Sequence, residues 1–287
     1  MADLSNPAVV RALLARHRLH LKKGLGQNFL INPGVCPRMA EAAGAGPGVG
    51  ALEIGPGIGV LTTELAQRCD KVVAVELDQS LAPALEETLK DYSNVEIVWG
   101  DFLKLNLEEL LSKFGDMPVI VCANLPYYIT TPILMRLLES RLPLESVTVL
   151  LQKETAQRIC AELPSRQAGA ITAAIAWYTK PELLFVVSKG SFLPPPKVDS
   201  AVVRLTLRKE PPVPVKDEAM LFRVMRGAFA QRRKTMLNGL SAALNLPKEQ
   251  MAALLEQAQV DPGARAEQLD LAAFARISDQ LSLLGHE

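Results

Sequence analysis

Five short apolar runs, at 50–54, 71–76, 95–99, 117–122 and 146–151, are separated by longer amphipathic stretches, and this alternation leaves few folds open. The runs are predominantly apolar rather than alternating, as in strands buried on both faces of a parallel sheet. Residues 60–68, 81–90 and 132–139 carry apolar side chains at helical spacing between them. Strand-helix-strand repetition of this kind predicts an open, doubly wound α/β sheet. Two further strands are expected, at 178–188, interrupted by Pro181, and at 201–207. The stretch 208–216, RKEPPVPVK, has three prolines and four charges in nine residues and reads as a linker. Helical periodicity then runs to the end, with breaks at Leu246-Pro247 and Asp261-Pro262. The expected organisation is an α/β domain over 1–207, a linker at 208–216, and a smaller all-helical domain of about four helices over 217–287.

Charge is balanced overall at 31 basic and 31 acidic residues, so its distribution carries the information. Residues 4–40 hold six bases (Arg11, Arg16, Arg18, Lys22, Lys23, Arg38) and no acid. Residues 51–120 hold thirteen acids against five bases, and 219–245 hold five bases (Arg223, Arg226, Arg232, Arg233, Lys234) with no acid. Two basic stretches around an acidic middle suit a phosphate-contacting rim beside a ligand pocket, with solvated helix faces as the plainer alternative. Cys36, Cys69, Cys122 and Cys160 are too scattered for a C-x-x-C pair, and the three histidines complete no familiar metal spacing. Reduced thiols in a cytoplasmic protein are expected. The chain has no long apolar run and no signal-like N-terminus.

The strand ends carry the chemistry. After the first run, residues 52–61 read LEIGPGIGVL, with glycines at 55, 57 and 59 where backbone must approach a ligand closely. A dinucleotide fingerprint needs glycine at position 60, which is Val60. The tighter spacing, preceded by Glu53, suits S-adenosylmethionine better than NAD. Glu76, ending the second run, is placed to accept from both ribose hydroxyls. Gly100-Asp101-Phe102 follows the third, with Asp101 able to accept from an adenine amine and Phe102 near the base. Asn124-Leu125-Pro126-Tyr127 closes the fourth. There the Asn124 amide oxygen can accept from an exocyclic amine. Pro126 biases Leu125 toward an extended backbone that turns its carbonyl the same way. Tyr127 offers a ring face for a base drawn from its helix. An Asn-Pro turn ending a buried strand is the alternative for the tetrapeptide taken alone. Ligands of open α/β sheets bind at carboxyl ends of strands, where all four elements fall.

With these motifs the chain resembles the small-subunit ribosomal RNA adenine dimethyltransferases, the KsgA family, over nearly its whole length. The resemblance is carried by KKGLGQNFL at 22–30, the glycine loop, Glu76, Gly100-Asp101-Phe102, Asn124-Leu125-Pro126-Tyr127, Gln152-Lys153-Glu154, FLPPPKVDS at 192–200 and RAEQL at 265–269. GQNFL and PPPKVDS are not shared with methyltransferases in general. The resemblance implies a class I, Rossmann-like methyltransferase fold with a seven-stranded, mostly parallel sheet and a helical C-terminal domain. It implies transfer of four methyl groups from S-adenosylmethionine to N6 of two adjacent adenosines in the hairpin near the 3′ end of 16S rRNA. It also implies a role in small-subunit biogenesis by a cytoplasmic monomer that needs no metal. Expected cofactor contacts are Gln27, Asn28, Leu30, Gly55, Gly57, Glu76, Leu77, Asp101, Phe102 and Asn124. Asn124, Leu125, Pro126 and Tyr127 are the expected catalytic group. Tyr127 and Phe192 are expected to sandwich the base, with Lys22, Lys23, Lys197, Arg223, Arg232 and Arg233 on RNA. Gly24 stands where many relatives have serine, and Tyr128, beside the expected base pocket, where many have asparagine. The competing readings are a large-subunit adenine methyltransferase of the macrolide-resistance type, disfavoured by PPPKVDS and the long helical tail, and an assembly factor in which methylation is secondary. A DNA adenine methyltransferase and a NAD-binding reductase are weaker alternatives.

Overall fold

The computed structural model describes residues 3–284, with the side chain of Lys23 left undescribed. In chain order the elements are α1 (Pro7–Arg16), β1 (Phe29–Leu30), α2 (Val35–Ala43), β2 (Gly50–Ile54), α3 (Val60–Ala66), β3 (Lys71–Glu76), α4 (Ala82–Leu89) and β4 (Val95–Trp99). There follow α5 (Leu107–Ser112), β5 (Val119–Asn124), α6 (Thr130–Glu139), β6 (Leu144–Gln152), α7 (Lys153–Ile159), α8 (Ala170–Tyr178), β7 (Thr179–Val187), β8 (Phe192–Leu193) and β9 (Ser200–Leu207). Four helices complete the chain: α9 (Glu218–Ala230), α10 (Met236–Leu244), α11 (Lys248–Gln257) and α12 (Leu271–Leu284).

The chain divides into two compact units, residues 1–156 with 182–207, and residues 157–181 with 208–287. The first unit is built on a seven-stranded sheet of order β4-β3-β2-β5-β6-β9-β7. Strands β4, β3, β2, β5 and β6 are mutually parallel, and β9 pairs antiparallel with β6. All five residues of β2 are buried, as expected of a central strand covered on both faces. Met39, Ala40, Leu61 and Leu65 of α2 and α3 pack with Ala51, Val72 and Ile120 of the sheet, and Val10, Leu13 and Leu85 of α1 and α4 pack around Ile58. None of the four cysteines forms a disulfide, and Cys36, Cys69 and Cys122 are buried, with burial raising their thiols.

Three expectations change. Pro181 does not interrupt its strand: β7 runs through it, which an edge position permits because proline withholds only an N–H that an edge leaves unpaired. Residues 157–181, expected in the α/β domain, belong to the helical unit. There Tyr178 stacks on Phe222 at 5.3 Å between ring centres and Trp177 meets Phe222 edge-on at 6.5 Å. Residues 208–216 are not a free linker. Arg208 Nε donates to the carbonyls of Ala176 and Thr179 at 3.1 and 3.0 Å, and the Lys216 N–H donates to Asp279 Oδ1 at 2.8 Å, fastening both ends within that unit.

A two-stranded ladder of β1 and β8 pairs Phe29 with Leu193 and Leu30 with Phe192. It joins GQNFL to FLPPPKVDS, stretches more than 150 residues apart, and is extended by the Ile31 N–H donating to the Ser191 carbonyl at 2.9 Å.

Candidate active site

The carboxyl ends of β2, β3, β4 and β5 open into one cavity, and the loops that leave them are stitched together. The Gly55 N–H donates to the Val75 carbonyl and the Gly100 N–H to the Glu76 carbonyl, both at 2.9 Å, while the Leu125 N–H donates to the Leu150 carbonyl at 3.1 Å. Gly55, Gly57, Glu76, Leu77, Asp101, Phe102 and the whole 124–127 tetrapeptide line this cavity, joined from the N-terminal side by Gln27, Asn28 and Leu30. Every expected cofactor and catalytic residue is therefore on one wall or another of a single site.

Gly55 has φ +75°, and a Cβ built there meets nothing within 4 Å, so its backbone faces open space. Gly57 has φ +60°, and its Cβ would stand 2.9 Å from the Phe29 ring, so here the missing side chain admits the GQNFL strand itself. Glu76 is buried; its Oε1 accepts from the Asp78 N–H at 2.8 Å and its Oε2 from the Gly57 N–H at 3.2 Å. Burial raises its carboxyl, the two N–H donors oppose that, and the remaining lone pairs are free to take ribose hydroxyls. Asp101 Oδ1 accepts from the Leu103 N–H at 3.0 Å, with Lys104 Nζ 3.7 Å from its second oxygen. Glu53 is 1 % exposed, lines the cavity, and its Oε2 has no hydrogen-bond partner among the described residues. Burial, with the Glu76 charge nearby, pushes its carboxyl up to about 8, so it is protonated at neutral pH.

Asp78, which the sequence did not single out, holds the N-terminal segment against this site. It accepts from Lys22 Nζ at 2.6 Å, Gln27 Nε2 at 2.9 Å and Ser80 Oγ at 2.6 Å. Burial alone would raise its carboxyl; these donors outweigh it and hold it near about 2. Lys22 is thus an ion-pair partner here, not an open phosphate contact.

Asn124 is the last residue of β5, and its Nδ2 donates to the Asn28 carbonyl at 3.2 Å, an orientation that keeps the amide oxygen as the acceptor. The Pro126 carbonyl takes the Ile129 N–H at 3.2 Å and the Thr130 hydroxyl at 3.1 Å, fixing the turn that follows. Tyr127 is half-buried, and its hydroxyl pairs with Ser200 Oγ at 2.6 Å, bringing the end of PPPKVDS to the tetrapeptide. Burial raises this phenol, partly offset by Ser200.

Phe192 is not in the cavity wall. It is 2 % exposed and packs in the core with Val35, Cys36 and Met39, because its place in β8 turns it inward. Lys197 is exposed on the loop before β9, and the side chain of Lys23 lies outside the described residues. In the helical unit Arg223 and Arg233 are exposed. Arg232 is instead a brace: its guanidinium donates to the carbonyls of Arg166 at 2.8 Å and Ala168 at 3.1 Å and to Glu267 at 3.3 Å. The braced loops form a cleft lined by Ser165, Arg166, Arg265 and Glu267, two of them exposed arginines that the charge count passed over because they are isolated in sequence. Among the described residues no group of histidines, cysteines and carboxylates can hold a metal, and no helix is long and apolar enough to cross a membrane.

The family model described as ribosomal RNA adenine dimethylase matches residues 18–283. A ribosomal RNA small subunit methyltransferase A of Geobacillus thermodenitrificans is 46% identical over 286 residues, covering 97% of each chain. The protein of the same name from Shouchella clausii is 47% identical, covering 97% of this chain and 96% of its own. Among solved structures, a dimethyladenosine transferase from Plasmodium falciparum aligns with a TM-score of 0.74 at 26% identity, over 87% of this chain and 95% of that one. The 23S rRNA methyltransferase ErmE aligns with a TM-score of 0.67 at 29% identity, over 89% of this chain and all of its own.

Proposed function

The chain belongs to the ribosomal RNA adenine dimethylase family, an S-adenosylmethionine-dependent enzyme family, and on that premise we propose that it dimethylates N6 of two adjacent adenosines in the 3′-terminal hairpin of small-subunit 16S rRNA. The reading places it in small-subunit biogenesis in the cytoplasm, acting as a monomer. The observation that carries it is the orientation of Asn124, whose amide oxygen is left to accept while its nitrogen is spent on Asn28.

The cavity suits the donor. Gly55 leaves room that a Cβ would take, Glu76 is pre-aimed by two backbone donors, and the Glu53 Oε2, with no hydrogen-bond partner among the described residues, is a buried polar atom left to pair with a ligand. When bound, S-adenosylmethionine supplies a methyl group already activated by sulfonium charge. The protein's task is positioning, which can contribute several kcal/mol when reacting atoms are held in line. Adenine N6 is a weak nucleophile because its lone pair is delocalised into the ring. Acceptors at the Asn124 oxygen and the Leu125 carbonyl draw both N–H bonds to one side and direct the lone pair to the other. Tyr127 faces the base with a ring whose swing is stopped by Ser200. No general base is needed before attack, because the proton becomes acidic only as the new bond forms. Neither the raised Tyr127 phenol nor the neutral Glu53 carboxyl is suited to that role.

The decisive experiment is donor-dependent methylation of unmodified small subunits, with the products mapped by mass. Dimethylated adjacent adenosines in 16S rRNA are expected, and product on large-subunit RNA instead would overturn the assignment. Asn124→Ala should lose transfer by a factor of about a hundred or more while donor binding falls far less, since removing both acceptor and aim acts on the transition state. Full turnover by that variant would remove Asn124 from the mechanism.

A further inference from the structure

Tyr127 and Tyr128 are consecutive on one 3-10 turn, line the same cavity, and are treated differently by the fold. Tyr127 is half-buried with its hydroxyl spent on Ser200. Tyr128 is 55% exposed, and its hydroxyl has no hydrogen-bond partner among the described residues. A Cβ at Gly26 would stand 3.6 Å from the ring, so one ring edge lies beside that glycine while more than half of the residue meets solvent. Core packing does not account for a tyrosine this exposed, and a hydroxyl network does not either. A large aromatic surface gains free energy only when something covers it. At the mouth of a cavity that accepts a flat base, the natural cover is another flat base.

We propose that Tyr128 is a second base platform, whose exposed ring stacks the nucleobase next to the adenine held at Asn124, so that the site grips two consecutive bases of the RNA. The inference rests on the reading that the cavity takes an adenine from RNA. Successive bases on successive aromatic rings are a common way of holding single strands, and stacking tolerates any base because each has a π-face. Tyr128 therefore supplies grip and register, while identity is read at Asn124 by hydrogen bonding. For a substrate with two target adenosines side by side, the platform holds one while the other is in the pocket.

The test uses the full chain with Tyr128→Ala, Tyr128→Asn and Tyr128→Phe. With unmodified small subunits, KM should rise roughly tenfold or more for the first two and stay near wild type for Phe, the size expected for one lost stacked base. Donor affinity, measured by calorimetry without RNA, should stay within about twofold in all three, which separates RNA grip from damage to the Gly26 loop. A second readout uses small competitors. In the wild type and Tyr128→Phe the dinucleotide ApA should inhibit at lower concentration than adenosine monophosphate, and in Tyr128→Ala that advantage should vanish. An ApA advantage that survives in Tyr128→Ala, or is absent in the wild type, overturns the platform, as does a KM rise matched by weaker donor binding. Failure of the underlying reading looks different: the wild-type protein would then leave small-subunit adenosines unmethylated.

Discussion

Glu53 illustrates how one residue couples stability to pH. Its carboxyl is sealed from solvent at 1% exposure, and burial first, then the neighbouring Glu76 charge, lifts it from an ordinary 4.5 to about 8. The folded chain therefore keeps a proton that the unfolded chain has already released across that window. Stability contributed by this proton is complete below about pH 4.5 and is lost at ~1.4 kcal/mol per pH unit as pH rises toward 8. Glu53→Gln keeps the shape without the titration. Thermal unfolding at pH 5 and pH 8.5 should show the variant gaining on the wild type at the higher pH. A wild-type-minus-variant difference that is flat between the two would show that the carboxyl is not held neutral. Glu76, whose two oxygens are held by the N–H groups of Asp78 and Gly57, cannot be exchanged so freely: Glu76→Gln should weaken donor binding by about tenfold or more, because an amide presents one acceptor where the carboxylate presents two. Calorimetric titration with donor measures this, and an unchanged Kd would dismiss the ribose role.

At the scale of elements, the N-terminal segment is held to the cavity by side chains, and its fastening makes a prediction. Lys22, Gln27 and Ser80 converge on the buried Asp78, whose carboxyl sits near about 2. Being depressed, it contributes stability above its ordinary pKa of 3.8 and loses it only as pH falls toward 2, so the clasp is constant under physiological conditions. Asp78→Asn should cost ~1–2 kcal/mol of donor affinity, discounted because Lys22 is half exposed, by letting Gln27 and Asn28 drift from the site. Equal donor Kd in variant and wild type would show that the segment seats itself without the clasp. Such elements differ in how much the sequence discloses. Strands β2 and β3 begin and end where the apolar runs do, because burial on both faces writes a continuous signal; β4, an edge strand of half-buried residues, is bounded by its run of valine, isoleucine and tryptophan instead. Asn124, Glu76 and Gly55 were readable because each is fixed by its place at a strand end. The pairing of β1 with β8, the Tyr127–Ser200 bond and the clasp on Asp78 were not, since each joins residues 50 or more positions apart through geometry that no local pattern encodes. Phe192 was misplaced for the same reason: an aromatic beside prolines looks exposed until its ladder partner turns it into the core.

For the whole molecule, zero net charge means that attraction to RNA must come from local clusters, and the helical unit shows which of its cations are available. Arg232 is committed to two carbonyls and Glu267, whereas Arg166, Arg233 and Arg265 are exposed around the loops it braces. Two variants of one loop should therefore fail in opposite ways. Arg232→Ala should lower the unfolding temperature by removing a three-acceptor brace. Arg233→Ala should leave that temperature unchanged and weaken small-subunit binding. If Arg166, Arg233 and Arg265 each neutralise a phosphate, replacing all three with alanine should flatten the slope of log affinity against log salt by roughly two to three, at ~0.7–0.9 per contact. The weakening should be independent of RNA sequence, because phosphate contacts position the substrate without reading it. A triple variant with the wild-type salt slope would mean that this face of the helical unit does not touch RNA. The grip would then have to come from the other basic stretch, where Arg16 and Lys22 are bound to Glu87 and Asp78 and the exposed Arg11, Arg18 and Arg38 remain to supply it.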